Sequence, residues 1–406
     1  MAQSTYDVLI VGGGPVGMTL ALALVRSLKG LKVALLDRRP FSVPRDLRAF
    51  ALAAGVRRSF EQLGVWDRIA PGAEPVRQMK ITDSGRGDIS RPLFLSFEGD
   101  VAPGEAFAHL VPNTLIQEAL HEALVDRIEF IAPAEVTGFA ATATLGTLTL
   151  ADGRSLAAPL VVAADGAQSS LRRMVGIETF GHDYRQSGIV TTIGHELDHA
   201  GTAYEHFRPA GPFASLPLPG GHRSSLVWTE ATDAVDRIKA MSPEAVAAEI
   251  EMVMGASLGR VTLEEKLQSF PLRLQVAKSF VAPRLALIGD AAHVVHPIAG
   301  QGLNLGLKDV AALAEVVVDA MRLGLDHGNA EALDRYERWR RLDTTMMVAV
   351  TDGMNRLFSN DIAPVRALRD FGLGVVDRLG PLKGFMISRA AGVETSGPRL
   401  LRGLAI

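Results

Sequence analysis

Residues 6–37, YDVLIVGGGPVGMTLALALVRSLKGLKVALLD, decide the fold class. A short run rich in Val and Ile (6–11) reaches the cluster Gly12–Gly14, and Pro15 opens a helical stretch. Gly30 stops that helix, and 31–37 reads as a second buried strand ending on Asp37. Strand, tight turn, helix and strand make a βαβ unit. Gly12, Gly14 and Gly17 fall in a G-x-G-x-x-G frame directly after the first strand, with Asp37 twenty residues beyond Gly17. That is the context a dinucleotide site needs.

Each glycine has a physical task. Gly12 permits the turn, Gly14 lets backbone N–H groups approach a pyrophosphate, and Gly17 allows the helix to pack closely on the sheet. The N-terminus of the helix that Pro15 opens turns its positive dipole end toward the phosphates. Asp37 can accept both hydroxyls of an adenosine ribose. At this point FAD and NAD are equally served.

Two further strand ends carry glycine. The run SLAAPLVVAAD reaches Asp165 and Gly166, followed by Ala167, Ser169 and Arg172 at the start of a short helix. RLALIGD (284–290) leads into Gly289, Asp290, Ala291, Ala292, His293, His296, Pro297, then Gly300, Gln301, Gly302, Leu303, Asn304, Gly306 and Asp309. This composite suits a flavin. Asp290 at a strand end can hold a ribityl hydroxyl, and Gly300 and Gly302 expose N–H groups at a helix N-terminus that can stabilise an anionic reduced isoalloxazine ring.

Between these landmarks the pattern predicts a helix over 49–63, a strand over 76–82 followed by the turn SGRGD, a helix over 113–125 with Asn113 as N-cap, and a strand at 128–131. An Asp-Gly hairpin spans 151–154. From about 181 to 275, β-branched and aromatic runs alternate with turns such as RPAGP and PGGH, which predicts an antiparallel sheet. Long helices follow at 302–322 and 330–357. The expected fold class is α/β: a discontinuous Rossmann-like FAD-binding domain (1–75, 105–180 and 276–357) with an inserted antiparallel-sheet substrate domain (76–104 and 181–275) and a C-terminal helical region (358–406).

Composition excludes several function classes. The 406 residues include no cysteine, so disulfides, thiolate metal sites and cysteine nucleophiles are ruled out. A formal charge of -3, with no long basic run, offers nothing to a nucleic-acid backbone. No targeting peptide or spanning segment stands out, which predicts a cytoplasmic chain. The 40 glycines are about a tenth of the chain, against a usual share of roughly 7%.

Several motifs need weighing. His195, Glu196 and His199 spell H-E-x-x-H, but Gly194 and Gly201 bracket the motif and β-branched residues precede it, so no helix and no metal are expected. His293 and His296 read as backbone-bonding or pocket-lining groups. Trp66 reads as packing, while Phe207, Phe213 and Trp228 are candidates for a substrate pocket. No G-x-S-x-G elbow or Walker loop is present, and no catalytic side chain is identified.

The three glycine-bearing strand ends, in this order, resemble those of the class A FAD-dependent aromatic hydroxylases, the superfamily of para-hydroxybenzoate hydroxylase. Within it the chain looks most like the ubiquinone-biosynthesis hydroxylases, through RAFALAAGVRRSFEQLGVWDRIAP (48–71), LIGDAAHVVHPIAGQGLNLGLKDVAALAE (287–315) and TDGMNRLFSND (351–361). The resemblance implies that Asp37 with neighbouring Arg38 serves the adenosine end, and that Arg48 and Asn113 contact FAD. It implies that Asp165-Gly166 serves the pyrophosphate and the entry of NADPH or NADH. It further implies that Asp290, Pro297 and the loop Gly300–Asn304, with Leu303, grip the ribityl and ring portions. One position departs: the family commonly has Arg after the Glu of AYEHF, where this chain has His206.

The implied activity is hydroxylation of the aromatic ring of a polyprenylated phenol or quinol, using NAD(P)H and O2 through a flavin C4a-hydroperoxide. Reactivity then resides in the cofactor. The lipid substrate implies a place peripheral to the inner membrane or in a biosynthetic complex, with a homo-oligomer also open. An isoprenoid epoxidase or reductase, and a flavin-binding scaffold without turnover, stand as alternatives.

Overall fold

The computed structural model describes residues 4–42, 47–83, 93–98, 100–358 and 397–406. Its first layer is a six-stranded sheet in the order Glu129–Ile131, Val33–Leu36, Val8–Val11, Leu160–Ala163, Leu285–Leu287, Val281–Ala282. The first five strands are parallel and the last is antiparallel. Their sequences explain the placement: VLIV, VALL, LVVA and LAL are buried at every position, as strands covered on both faces must be. The strands before Gly12, Asp165 and Gly289 are immediate neighbours. Parallel pairing puts their C-terminal ends on one edge, although they lie more than a hundred residues apart in sequence.

Helices Pro15–Ser27 and Gln301–Arg322 pack on this sheet, each starting at a glycine. Residues 397–406 return to the same core: Leu400, Leu401 and Ile406 are buried in it, and Arg399 pairs with Glu315 and Asp319 on the second helix.

The second layer is a nine-stranded sheet. Its path runs His293–Val294, Gln268–Ala277, Thr179–His195, Arg223–Ala231, Phe213–Leu218, Thr202–Phe207, Gln78–Asp83, Leu93–Glu98, with Val261–Leu263 beside Thr179–His195. Every pairing is antiparallel except Thr202–Phe207 with Gln78–Asp83. Helices Val235–Lys239 and Pro243–Met254 cover one face. The short segment 285–294 belongs to both sheets, pairing with Leu160–Ala163 at one end and with Gln275 and Val276 at the other.

Some local expectations are corrected. Residues 49–53 are not the start of a helix. Ala49–Ala53 is a strand paired with Ala108–Pro112, and the helix occupies Ala54–Gln62. AFALA has neither helical nor strand periodicity, so a distant partner decides its state. Pro112 caps the helix Asn113–Leu124, which makes Asn113 its first residue. The stretch 155–165 is two strands in different sheets, broken at Pro159. The turn SGRGD and residues 359–396 of the C-terminal region lie outside the described residues, and Arg399–Arg402 is a single 3-10 turn.

Candidate flavin and substrate site

The shared edge assembles the three glycine motifs, and their glycines divide into two kinds. Gly12 has φ +121°, and a Cβ there would stand 2.1 Å from the Ala164 carbonyl oxygen. A Cβ on Gly17 would stand 2.1 Å from the Gly12 oxygen, and one on Gly306 would lie 3.1 Å from the Gly289 Cα. These glycines let helices and strand ends touch. At Gly14, Gly166 and Gly302 a Cβ would meet no atom within 4 Å. These face open space, one in each motif.

Asp37 is half-buried at the end of its strand. Its Oδ2 accepts from the Gly13 N–H at 2.8 Å and its Oδ1 from the Arg39 N–H at 2.8 Å, which fixes the carboxylate beside the first turn with lone pairs left for ligand hydroxyls. Arg38 is exposed next to it. Pro15 occupies the first helical turn, where its missing N–H costs nothing.

At the second motif, Asp165 Oδ2 accepts from the Ser170 N–H at 2.8 Å and from its hydroxyl at 3.2 Å, while the buried Oδ1 has no partner. A buried carboxylate oxygen left bare in a polar turn fits a ligand that supplies a donor. Arg172, 5% exposed, joins two strand ends by donating to the Ala291 carbonyl at 2.7 Å and the Ala167 carbonyl at 2.8 Å. Burial lowers its pKa, and the nearby Asp165 opposes this.

The third motif is anchored from beneath by Asp309. Oδ2 accepts from the Gly289 N–H at 2.9 Å and pairs with His293 Nε2 at 2.7 Å, and Oδ1 accepts from Arg340 Nε at 2.7 Å. Arg340 also holds Asp343 at 2.7 Å. Burial pushes the Asp309 pKa up, but His293 and Arg340 outweigh it and hold the carboxyl below its ordinary range. Neither Arg340 nor the role of Asp309 was read from sequence, because charges on helices are usually solvated.

Asp290 differs. Its side chain is exposed, while desolvation by the protein around it raises its pKa and His293, Arg48 and Arg273 act in the opposite direction. Arg48 is exposed, with its guanidinium 5.6 Å from the Phe50 ring centroid and 5.5 Å from that of Phe270. The buried Asn113 donates its backbone N–H to the Arg48 carbonyl at 3.0 Å, which ties these two expected cofactor residues together. Pro297 precedes the turn Ile298–Gly300, and Gly300 caps the following helix in the left-handed region at φ 63°. Leu303 is partly buried against the first core. The Asn304 amide is committed to backbone: it accepts from Ala53 N at 2.9 Å and donates to the carbonyls of Ala51 at 2.7 Å and Gly300 at 3.2 Å. It positions the loop through its side chain.

The three aromatic candidates separate by sheet face. Phe207 packs with Ile81, Ile298 and Phe358, on the side of the Pro297–Gly300 turn. Phe213 and Trp228 stand opposite each other in register and are buried against the helices at 235–239 and 243–254, on the far face. His206 shares the far face, with Nδ1 2.6 Å from Thr82 Oγ1. Trp66 is buried and meets His109 edge-on at 5.2 Å.

The H-E-x-x-H residues are not on a helix, since His195 ends the strand Thr179–His195. His195 bonds the Leu197 carbonyl at 2.7 Å and Ser224 at 3.0 Å, and His199 bonds the Leu218 carbonyl at 2.8 Å and the Gly201 N–H at 3.0 Å. All four ring nitrogens hold the fold together.

The family model described as FAD binding domain matches residues 5–351. The chain is 43% identical to the ubiquinone hydroxylase UbiL of Rhodospirillum rubrum, covering 100% of this chain and 94% of that protein. It is 33% identical to the 3-demethoxyubiquinol 3-hydroxylase of Escherichia coli, over 97% of this chain and 100% of that protein. Among solved structures, p-nitrophenol 4-monooxygenase PnpA of Pseudomonas putida DLL-E4 superposes with a TM-score of 0.80 at 20% identity, over 96% of this chain and 99% of that one.

Proposed function

The chain belongs to the FAD binding domain family and, within it, to the ubiquinone hydroxylases, and on that premise we propose that it is a monooxygenase acting on the aromatic ring of a polyprenylated phenol or quinol in ubiquinone biosynthesis. The observation that carries the reading is the single sheet edge on which Gly14, Gly166 and Gly302 all face open space while Asp37, Asp165 and Asp290 present carboxylates around it. An extended cofactor with a ribose, a pyrophosphate and a ribityl chain would use such a row of donors and acceptors.

Bound FAD would supply the oxygen-transfer chemistry, with NADPH or NADH as electron donor and O2 as oxidant. The protein's part is to bind and orient. Asp37 and Arg38 would hold the adenosine end, the helix opened by Pro15 with Gly12, Gly14 and Gly17 would face the pyrophosphate, the Gly166 backbone would complete that contact, and the bare Asp165 Oδ1 would accept from a donor group of the cofactor. Arg48, Asn113, Gly289 and Asp290 would flank the ribityl chain. Pro297, Gly300, Gly302, Leu303 and Asn304 would shape the ring end, where helix N–H groups favour negative charge. Phe207 would line the ring pocket of the substrate. Closing that pocket against water keeps the reactive oxygen for the substrate.

Among the described residues, no helix is long and apolar enough to cross a membrane. A polyprenylated substrate is then met at the bilayer surface, by peripheral contact or within a biosynthetic complex. Co-sedimentation with anionic liposomes tests that contact.

The test of the activity is direct. Flavin-loaded protein is given a phenol with one isoprenoid unit, NAD(P)H and isotopically labelled O2, and the product mass is read. Incorporation of one labelled oxygen into the ring supports the reading. Donor oxidation without labelled product, or product reduced at a double bond, overturns it.

A further inference from the structure

The outer face of the helix Ala330–Phe358 changes character partway along. Its exposed residues before Arg340 include Glu331, Asp334, Arg335 and Arg338, as suits a helix face in water. Beyond that point the exposed residues are Leu342, Thr345, Ala349, Val350, Gly353 and Arg356, and the one charge among them is held by Asp352 at 2.9 Å. Leu342 is 67% exposed and Val350 50%. A single exposed leucine means little, but a run of apolar positions marks a surface that something covers.

The run has a direction. Leu342, Met346, Val350, Met354 and Phe358 recur at every fourth position, which sets them in one row along the helix, about 24 Å long. Leu342 and Val350 stand in solvent, Met346 and Met354 are half-buried, and Phe358 is 3% exposed. The buried end meets the substrate sheet. The Phe358 ring stacks on Phe207, with centroids 4.1 Å apart and planes at 23°. Both pack with Ile81 and Ile298, and Met354 and Met79 lie against them in a small cluster separate from the two large cores. Ile298 opens the turn Ile298–Gly300, at the ring end of the proposed cofactor site. An apolar row thus begins beside the place assigned to the isoalloxazine ring and runs out to solvent.

Resting on the hydroxylase reading, we propose that this row binds the polyisoprenoid tail of the substrate: the ring sits beside Phe207, and the tail crosses the Phe207–Phe358 stack and lies along Met354, Val350, Met346 and Leu342. The chemistry of the two surfaces agrees. A polyisoprenoid has no polar atom, so a charged face offers it nothing and apolar area alone holds it. Its chain is flexible and carries a methyl branch in every unit. The row presents one apolar side chain per helical turn, and Met346 and Met354 have unbranched thioether side chains that adapt to an irregular partner. A tail of many units also outgrows an enclosed pocket, and a row that ends at the exposed Leu342 accommodates any length.

The test uses flavin-loaded wild type and the double variant L342N/V350N with two phenols, one bearing a single isoprenoid unit and one bearing several, both delivered from cyclodextrin so that no bilayer is present. Melting temperature and flavin content report folding, which exposed positions leave intact. The readout is the ratio of kcat/KM for the long-tailed phenol to that for the short one. In the variant this ratio is expected to fall about tenfold, through KM with kcat kept, as loss of uniform apolar binding requires. A long-tailed phenol with a photoreactive group in its tail, which needs no turnover, is expected to label residues 342–354 of the wild type. A wild-type ratio in the folded, loaded variant overturns the proposal, and so does labelling confined to another segment. Should the ratio hold while vesicle binding or a dimer is lost, the row belongs to a bilayer or to a second copy of the chain, and the tail site falls. If the variant does not load flavin, the labelling decides. If the wild type hydroxylates neither phenol, the hydroxylase reading fails, and the labelling still decides the tail site.

Discussion

Asp309→Asn tests whether the third strand end is set by a buried charge. The native carboxylate meets donors on both oxygens: Gly289 N–H and His293 on Oδ2, Arg340 on Oδ1. An amide has only one acceptor oxygen. Turned toward Gly289, it presents its NH2 group to Arg340 Nε; turned toward Arg340, it presents the NH2 to the Gly289 N–H. Either way a buried donor faces a donor, and the Arg340 charge, 3% exposed, keeps only Asp343 close by. Breaking a buried pair from one side costs about 3–5 kcal/mol. At about 1.2 °C per kcal/mol for a chain of this size, the apparent Tm is expected to fall by about 4–6 °C. Because Gly289 N–H is one of the bonds lost, flavin affinity measured by fluorescence quenching is expected to weaken as well. Asp343→Asn, at a half-buried position, is the control and is expected to cost less than half as much. A D309N protein that melts with the wild type and binds flavin equally would refute the assignment of Asp309 as anchor.

Gly17→Ala and Gly302→Ala are expected to fail differently: the first lowers the Tm of the apoprotein, because its Cβ meets the Gly12 carbonyl at 2.1 Å, while the second leaves that Tm unchanged and weakens flavin binding at least about tenfold, since its Cβ enters the open edge. Asp290→Ala is expected to fold normally and purify pale; full flavin occupancy would remove Asp290 from the site. Burial holds both His109 and His296 down to about 4, below the unfolded value of about 6.5. The unfolded chain therefore binds more protons between these values, so their contribution is complete above pH 6.5 and is lost as the pH falls toward 4. For His296 this is about 3 kcal/mol, and urea midpoints at pH 7 and pH 5 should differ less in H296Q than in the wild type. His195→Ala and His199→Ala are expected to cost about 1–3 kcal/mol each through lost hydrogen bonds, with no change in metal content by elemental analysis.

What could be read from the chain follows the range of the forces involved. Strands buried on both faces announce themselves as continuous apolar runs, and the G-x-G-x-x-G turn and Asp37 are local in sequence, so the first layer and the placing of Asp37 beside the first glycine turn were legible. The helix Pro243–Met254 was legible too, in Ser242 as its cap, Pro243 in its first turn and Gly255 at its end, but the surrounding β-rich pattern absorbed it. The strand Ala49–Ala53 was not, because its partner lies more than fifty residues away. Phe213 and Trp228 could be called aromatic and buried, but which sheet face they occupy follows only from register with their neighbours. The Asp309–Arg340 pair joins two helices whose charged residues look alike until they are packed.

The segment 285–294 has a mechanical meaning. It is a strand of the first sheet at Leu285–Leu287 and of the second at His293–Val294, with the Ala277 N–H bonded to the Ala292 carbonyl at 2.8 Å between them. Arg172 and Gln275 add bridges to Ala167 on the same seam. The two layers are thus welded at the cofactor edge, and swinging them apart there would tear ladder bonds on both sides. A bulky ligand cannot enter by opening the molecule like a book; its route must run through side chains and loops at the free margins, which makes the rate of entry a property of those margins and leaves the cofactor cradle rigid throughout.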